Sequence, residues 1–169
     1  SPIRFLKDTR DVLLLAFSTS SSAAVMPLSI RTAEDKLGVR PSVSQFVIPL
    51  GATINMNGTA LYQAVATIFL AQVYGIDLSM GSMALVVAMA VGASIGSPAT
   101  PGVGIVILAM VLQTVGIPPS GIALIMGVDR ILDMCRTTIN VTGDLVTCRL
   151  MENLAGKRLP PEPVPEETS

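Results

Sequence analysis

Five polar residues are spaced to share one face of a helix within the segment 121–146. They are Asp129, Asp133, Arg136, Asn140 and Asp144, separated by 4, 3, 4 and 4 positions. At about 100° per residue, this spacing confines them to an arc of roughly 80°. At membrane depth, ionisable groups normally face a protein interior or an aqueous path and mark ion or substrate handling. In a soluble protein, the same spacing would indicate an amphipathic helix with a salt-bridged face.

The composition favours the membrane interpretation. Half of the residues are hydrophobic, 14% are charged, and mean hydropathy is +0.65. From Pro41 to Val128 the only charged residue is Asp77, and a soluble domain with so few charges would lack a solvated surface. The sequence has no histidine, no P-loop, and no basic patch with interleaved aromatics. We therefore expect neither an enzyme nor a nucleic-acid-binding protein. Because the first residue is Ser1, we expect part of a longer protein.

Polar interruptions divide the apolar sequence into arms that are mostly too short to cross a bilayer, which takes about 20 apolar residues in a helix. The order predicts an all-α membrane protein, an inverted-repeat transporter with two re-entrant hairpins, one broken helix and one polar transmembrane helix. The predicted parts are hairpin 1 with a loop (1–40), the broken helix (41–75), hairpin 2 (76–119), the polar helix (120–155) and a disordered tail (156–169).

The placement of the cations predicts which side each loop occupies. Arg31, Lys36 and Arg40 fall in one loop, and further basic residues follow the polar helix. In contrast, the loops 75–82 and 116–121 together contain one charged residue, Asp77. Cytoplasmic loops are enriched in Lys and Arg. The loop 31–40 and the C-terminus are therefore expected in the cytoplasm, which makes 83–115 a hairpin that enters and leaves on the outside. Tight turns between full spans are the alternative.

The polar side chains suggest two kinds of ligand. Arg136 offers a planar fork that grips a carboxylate in two places. Asp133 could neutralise Arg136 or hold a substrate ammonium group. Asp144 and Asn140 present oxygens of the type that hard cations prefer. The run Asn55–Thr59, which interrupts an apolar segment, adds amide oxygens and backbone oxygens freed from helical bonds. The chemistry points to a cation-coupled carrier of small acidic molecules.

Four motifs resemble one known family, the dicarboxylate/amino acid:cation symporters, which include glutamate and aspartate transporters. The motifs are AFSTSSSAAVMP (16–27), PLGATINMNGTALYQ (49–63), ASIGSPATPGVG (93–104) and LDMCRTTINVTGD (132–144), in family order and spacing. The resemblance covers Phe5 to about Asn153. It implies the mobile transport domain of an elevator-type symporter, without the six preceding helices that include a trimerising scaffold.

The resemblance also implies site residues. Substrate would be bound by Arg136 and Thr59 at its side-chain carboxylate, by Asp133 and Asn140 at its amino group, and by Ser21, Ser22, Ala99 and Thr100 at its α-carboxylate, with Thr137 lining the pocket. One sodium site would use Gly51, Asn55, Asn140 and Asp144, and a second would use Thr53, Ser94, Ile95 and Ser97. Asn57 is also placed among the sodium-binding residues. It stands where members often have an aspartate near a third sodium site, which leaves the stoichiometry open.

Other departures from the family pattern lie near these residues. Ser20 and Met134 stand where many members carry an additional arginine, and Pro98, in the departing run SPATPG (97–102), is expected to stiffen hairpin 2 as the outer gate. Gln63 replaces the glutamate that animal members use for proton movement. No proton carrier is therefore expected at that position.

The sequence predicts a sodium-coupled symporter of aspartate or glutamate, with Na⁺ as the co-transported ion. Its partners would be an acidic amino acid, the lipid bilayer and two further copies in a homotrimer. The predicted location is the plasma (inner) membrane, multi-pass, with a cytoplasmic C-terminus. A proton-coupled or C4-dicarboxylate symporter is the alternative within the class. An anion-conducting channel is the alternative from another class, although a ring of repeated charges would be expected there.

Overall fold

The computed structural model describes residues 1–95 and 101–155, and this part of the chain is helical without strands. The prediction of an all-α protein is confirmed for these residues. The helices are α1 (Pro2–Thr19), α2 (Ser22–Asp35), α3 (Pro41–Ile54), α4 (Asn57–Val73), α5 (Met80–Ser94), α6 (Val103–Thr114) and α7 (Ile122–Ala155), with a 3₁₀ turn at Pro119–Gly121. The predicted tail 156–169 lies outside the described residues.

Among the described residues, none of the helices combines the length and the apolar composition required of a membrane-crossing helix.

Helices α1 and α2 form a pair joined by the serine run. Ser20 ends α1 in a left-handed conformation with φ 52°, and its N–H donates to the carbonyl of Ala16 at 3.0 Å. The hydroxyl of Ser21 accepts the N–H of Ala24 and caps α2, which satisfies one of the unpaired donors of the first turn. The 3.2 Å contact between Lys36 and Asp11 brings the end of α2 back beside α1, so the two helices run antiparallel.

Helices α3 and α4 are separated at Asn55 and Met56, whose backbone is not helical (ψ 68° and 48°). The N–H of Asn55 still closes the last turn of α3 on Gly51 at 2.7 Å. The first N–H groups of α4 have no partners within their own helix. One of them is bonded by a side chain of α7, so the break is completed by another helix.

Helices α5 and α6 pack on each other through Val86, Ile107 and Val111. A side-chain cap starts α5, because the hydroxyl of Ser79 accepts the N–H of Ser82 at 3.1 Å. Helix α6 follows Gly102, whose φ of 84° is one that a glycine adopts without steric cost.

Helix α7 connects two apolar clusters. Val141, Leu145 and Cys148, in its second half, pack with α1, α2 and α3. Ile122 and Ile125, at its start, pack with α4 and α6. The polar stripe 129–144 therefore begins beside one cluster and ends within the other, and it lies against the break between α3 and α4.

The loop before α3 is tied to the end of α7. The carboxylate of Glu152 accepts both the backbone N–H and the Nε–H of Arg40, each at 3.1 Å. Arg149 donates from Nη1 to the carbonyl of Gly38 at 3.3 Å. At the opposite end, the hydroxyls of Tyr74 and Ser120 lie 3.4 Å apart. The two basic segments thus share one end of the molecule, and the two loops with few charges share the other.

Candidate functional site

All five residues of the polar stripe are buried. Their exposed fractions are 9% for Asp129, 4% for Asp133, 5% for Arg136, 5% for Asn140 and 2% for Asp144. The stripe therefore faces the protein interior. Burial of charged groups is costly unless they are paired and hydrogen-bonded, so the partners of each group define what the stripe can do.

Arg136 is held on several sides and retains one unpaired donor. Its Nη2 forms an ion pair with Oδ1 of Asp133, and its Cζ lies 4.8 Å from the centre of the Tyr62 ring. Nη1 is buried without a hydrogen-bond partner among the described residues. A buried, unsatisfied donor on a charged group is costly. Nη1 is therefore suited to donate a hydrogen bond to an oxygen atom of a bound anion.

Asp133 joins α7 to the start of α6. Its Oδ1 pairs with Arg136, and its Oδ2 accepts the N–H of Gly102 at 3.1 Å. Both carboxylate oxygens are thus engaged within the chain. A cationic group that binds here would have to share the Asp133 carboxylate with Arg136 or displace Arg136 from it.

Gly104 allows α6 to approach the guanidinium. A Cβ at this position would overlap Nη1 of Arg136. The carbonyl of Gly104 accepts Nε2 of the buried Gln63 at 2.9 Å, while Oε1 of Gln63 has no partner in the described part of the chain. The guanidinium therefore lies between the ring of Tyr62 and the first turn of α6.

Asn140 is bonded to the break between α3 and α4. Its Oδ1 accepts the N–H of Gly58 at 2.7 Å, and its Nδ2 lies 3.3 Å from both Oγ1 of Thr59 and Sδ of Met56. Position 58 must be small, because a Cβ there would overlap the carbonyl oxygen of Arg136. Thr59 is buried as well, so it lies beside Asn140 in the interior.

A second polar group surrounds Asp144. Its Oδ1 accepts Nδ2 of Asn55 at 2.9 Å, and a Cβ at Gly51 would overlap the same oxygen. A Cβ at Gly143 would lie 2.7 Å from Nδ2 of Asn55 and 3.1 Å from Nδ2 of Asn57. These contacts bring together a buried carboxylate, two amides and close backbone. Hard cations bind carboxylate, amide and backbone oxygens, so these residue types suit a cation, whereas the amide contacts described here are made through nitrogen.

A small cavity lies next to this group. Its volume is about 140 Å³, and it is lined by Ile54, Met56, Asn57, Ala60, Val91, Ser94 and Ile95. Ser94 is buried and its hydroxyl donates to the carbonyl of Ala90, whereas Ile95 is exposed. Thr53 is exposed, and its hydroxyl donates to the carbonyl of Leu50 at 2.9 Å. Three of the residues predicted for sodium, Asn57, Ser94 and Ile95, therefore border one cavity.

The remaining predicted residues are placed as follows. Ser22 and Thr137 are buried, and Ser21 caps α2 as described above. Nη2 of Arg130 lies 3.5 Å from the carbonyl of Ser18, so the end of α1 is beside α7. Ser97, Ala99 and Thr100 lie outside the described residues.

Three residues of this site were not singled out from the sequence. Tyr62, Gly102 and Gly104 all contact the Asp133–Arg136 pair. The available signal was the repeated glycine in TPGVG (100–104), because a glycine inside an apolar helical pattern often marks a close approach of the backbone. Tyr62 gave no signal, since one tyrosine in an apolar helix is usually a packing residue.

Comparison with known proteins identifies one family. A family model described as the sodium:dicarboxylate symporter family matches residues 1–154. Excitatory amino acid transporter 3 of Mus musculus is 44% identical over 159 residues, which are 94% of this chain and 30% of that protein. The proton/sodium-glutamate symport protein of Bacillus subtilis is 44% identical over 156 residues, which are 92% of this chain and 36% of that protein.

A third relative is glt-4 of Caenorhabditis elegans, a protein inferred to be a sodium-dependent excitatory amino acid transporter. It is 48% identical over 159 residues, which are 94% of this chain and 32% of that protein. The chain thus spans about a third of the length of the curated relatives it matches.

Proposed function

We propose a transport function for this chain, which belongs to the sodium:dicarboxylate symporter family. It supplies the part of a sodium-coupled symporter that binds an acidic amino acid, aspartate or glutamate, together with the co-transported Na⁺. The names of the relatives support this proposal, since they refer to excitatory amino acids, to glutamate and to sodium.

The observation that carries the proposal is the unpaired Nη1 of Arg136. This atom is buried and without a hydrogen-bond partner among the described residues, while Nη2 of the same guanidinium is paired. A carboxylate can take two parallel hydrogen bonds from one guanidinium. A substrate carboxylate would satisfy Nη1 and, by taking Nη2 as well, release Asp133. Thr59 and Thr137 are buried in the same region and complete this part of the proposed pocket.

The released Asp133 favours a substrate that also carries an ammonium group. If a substrate took Arg136 without supplying a cation, Asp133 would remain as a buried carboxylate without its counterion, at a cost of several kcal/mol. An amino acid supplies both charges and exchanges one ion pair for two. A C4-dicarboxylate supplies only carboxylates, which is why we propose the acidic amino acid first. In this proposal Ser21, Ser22, Ala99 and Thr100 take the α-carboxylate, and Asn140 shares the amino group.

The sodium part of the proposal uses the group around Asp144. Gly51, Asn55, Asn140 and Asp144 supply one set of oxygens, and Thr53, Ser94, Ile95 and Ser97 supply a second, with Asn57 beside them. The support is the proximity of Asn55, Gly51 and Asp144 and the cavity bordered by Asn57, Ser94 and Ile95. The second candidate is proton coupling, because the relative from Bacillus subtilis is named for both protons and sodium.

The proposal extends to the surroundings of the chain. We place it in the plasma (inner) membrane as a multi-pass protein with two re-entrant hairpins and a cytoplasmic C-terminus. Elevator-type movement and a homotrimer through scaffold helices outside this chain follow from the family resemblance. Support comes from large apolar side chains on the surface, such as Phe46 (66% exposed), Val106 (64%) and Leu124 (61%). The contact of Arg149 with Gly38 also joins the two basic segments at one end.

Uptake by the full-length parent protein tests the function. Labelled aspartate, glutamate, succinate and serine should be offered to proteoliposomes in sodium and in sodium-free buffer. We expect sodium-dependent uptake of aspartate or glutamate and little uptake of succinate or serine. Uptake that follows a proton gradient and ignores sodium at fixed pH would favour the second candidate, and preferred uptake of succinate would favour the dicarboxylate class.

Side-specific labelling tests the topology. In the parent protein with Cys135 and Cys148 replaced, cysteines at Ser82 and Ser120 should both react with an impermeant external thiol reagent. A cysteine at the exposed Lys36 serves as the matched control and should react only after the membrane is permeabilised. Reaction of positions 82 and 120 from opposite sides would show a full span between them and reject hairpin 2.

A further inference from the structure

We propose that Asp129 and Tyr62 form a positioning pair that orients Arg136 and thereby sets the preference for an acidic substrate. This inference rests on the proposed function of Arg136. Asp129 is the one residue of the polar stripe to which neither the proposed substrate contacts nor the sodium groups assign a role. It is a buried carboxylate at 9% exposure, so its presence calls for a partner and a reason.

The partner is Tyr62 of α4. Its hydroxyl donates to Oδ1 of Asp129 at 3.0 Å, and both residues are 9% exposed. The face of the same ring lies 4.8 Å from Cζ of Arg136. One tyrosine thus connects two residues of the stripe that are seven positions apart on α7. Asp129 binds the hydroxyl, and Arg136 contacts the ring.

The hydrogen bond fixes the orientation of the ring. An aromatic side chain has two rotatable bonds, and an anchor at the hydroxyl removes most of the freedom that the backbone leaves. A hydrogen bond to a carboxylate is stronger than one between neutral groups. A carboxylate at the phenol also increases the electron density of the ring, which strengthens its attraction for a guanidinium above its face. Asp129 therefore acts on Arg136 through Tyr62.

The ring in turn determines where Nη1 is directed. The guanidinium is held by the ring on one face, by Asp133 at Nη2 and by the close backbone of Gly104 at Nη1. Arginine has a large rotamer entropy, which is lost when a substrate fixes its side chain. A side chain that is already oriented loses less on binding, and this preorganisation raises affinity. The gain applies only to substrates that use the guanidinium, so it favours acidic over neutral amino acids.

A structural role is the competing explanation, because the same bond joins α4 to α7. The two explanations differ in what a loss of the bond would affect. A positioning role predicts weaker aspartate binding with unchanged binding of Na⁺ alone, since Asp144 lies about 22 Å along the helix from Asp129 at ~1.5 Å per residue. A structural role predicts that both ligands bind more weakly and that the melting temperature falls.

Equilibrium binding to the purified full-length parent protein decides between them. Tyr62→Phe removes the hydroxyl and keeps the ring. Tyr74→Phe is the matched control, since Tyr74 directly follows α4 and its hydroxyl, among the described residues, lies near that of the exposed Ser120. At saturating Na⁺, we expect Tyr62→Phe to raise the Kd for aspartate about tenfold, within the range of charged hydrogen-bond effects. Tyr74→Phe should leave it within about twofold.

A pair of variants at position 129 gives an independent readout. Asp129→Asn keeps an oxygen that can accept the Tyr62 hydroxyl, whereas Asp129→Ala does not, so the asparagine variant should retain more of the aspartate affinity. The proposal is overturned if Tyr62→Phe and Asp129→Ala bind aspartate as the parent does, or if Na⁺ binding falls in parallel with aspartate binding. A parent protein without sodium-dependent aspartate binding would reject the proposed function before any variant is made, and this inference with it.

Discussion

The side chain of Asn140 takes the place of a missing helical partner at Gly58. Its Oδ1 accepts the N–H of Gly58 at 2.7 Å, across the break that separates α3 from α4. The first N–H groups of a helix have no acceptor within the helix, and Gly58 is buried. One residue of the polar stripe therefore stabilises the interruption that leaves backbone groups available beside the site.

Asn140→Ala should destabilise the protein as well as impair binding. The buried N–H of Gly58 would lose its acceptor, and an unsatisfied buried donor costs about 1–3 kcal/mol. Thermal unfolding of the full-length parent in detergent measures the change as a lower melting temperature. Thr138→Ala is the control, because in the described part of the chain that hydroxyl donates to the carbonyl of Met134 in its own helix. An equal melting temperature for Asn140→Ala and Thr138→Ala would show that the break does not depend on Asn140.

Arg136→Cys should abolish binding of acidic substrates and allow neutral amino acids to bind. Removing a charged contact from a desolvated site costs about 2–5 kcal/mol, and Asp133 would lose its ion-pair partner at the same time. Competition by aspartate and by serine in a sodium-dependent binding assay measures both effects. Arg130→Cys is the matched control, since Arg130 is exposed and outside the stripe. Aspartate affinity that survives Arg136→Cys would exclude Arg136 from the site.

The helices could be predicted from the sequence because their signals are local. The stripe of α7 follows from spacing alone, and interruptions at serine, asparagine and proline-glycine runs mark where apolar segments stop. The resemblance to a family then brings together residues that are far apart in sequence, such as Asn55 and Asp144. Neither spacing nor composition could have paired them, because the contact is made between two helices.

The contacts made by backbone and by ring faces could not be predicted in this way. Gly102 binds Asp133 through its N–H, and Gly104 matters because of the Cβ that it lacks. Tyr62 acts through its ring and its hydroxyl at once. These contributions depend on the distance between helices, which periodicity does not encode. Composition predicted a membrane protein, and family membership supports a membrane location, whereas the hairpins remain a proposal.

Asp144→Asn should weaken Na⁺ binding, and aspartate binding should weaken with it. The substitution keeps the shape of a side chain that contacts Asn55 and Gly51 but removes its negative charge. Coupled ligands report the same coupling free energy, typically equivalent to about 5–150-fold in affinity. Titration of Na⁺ at fixed aspartate, and of aspartate at fixed Na⁺, measures both sides. Asp77→Asn removes an exposed loop carboxylate and should change neither affinity. An Asp144→Asn variant whose Na⁺ and aspartate affinities both equal those of the parent would refute the sodium assignment.

Gly104→Ala should reduce aspartate affinity by disturbing the guanidinium. The added Cβ would overlap Nη1 of Arg136, so either α6 or the guanidinium must move, and overpacking of this kind costs about 1–3 kcal/mol. Gly92→Ala is a matched control on α5, because a Cβ at that position meets no atom within 4 Å. Alanine is also the better helix former, so Gly92→Ala should raise the melting temperature slightly. Calorimetric titration of the full-length parent with aspartate in Na⁺ compares the two variants. Since Gly104 contacts the guanidinium, the loss should be larger for aspartate than for Na⁺ alone. Equal aspartate affinity in the two variants would mean that α6 does not lie against Arg136 when substrate binds.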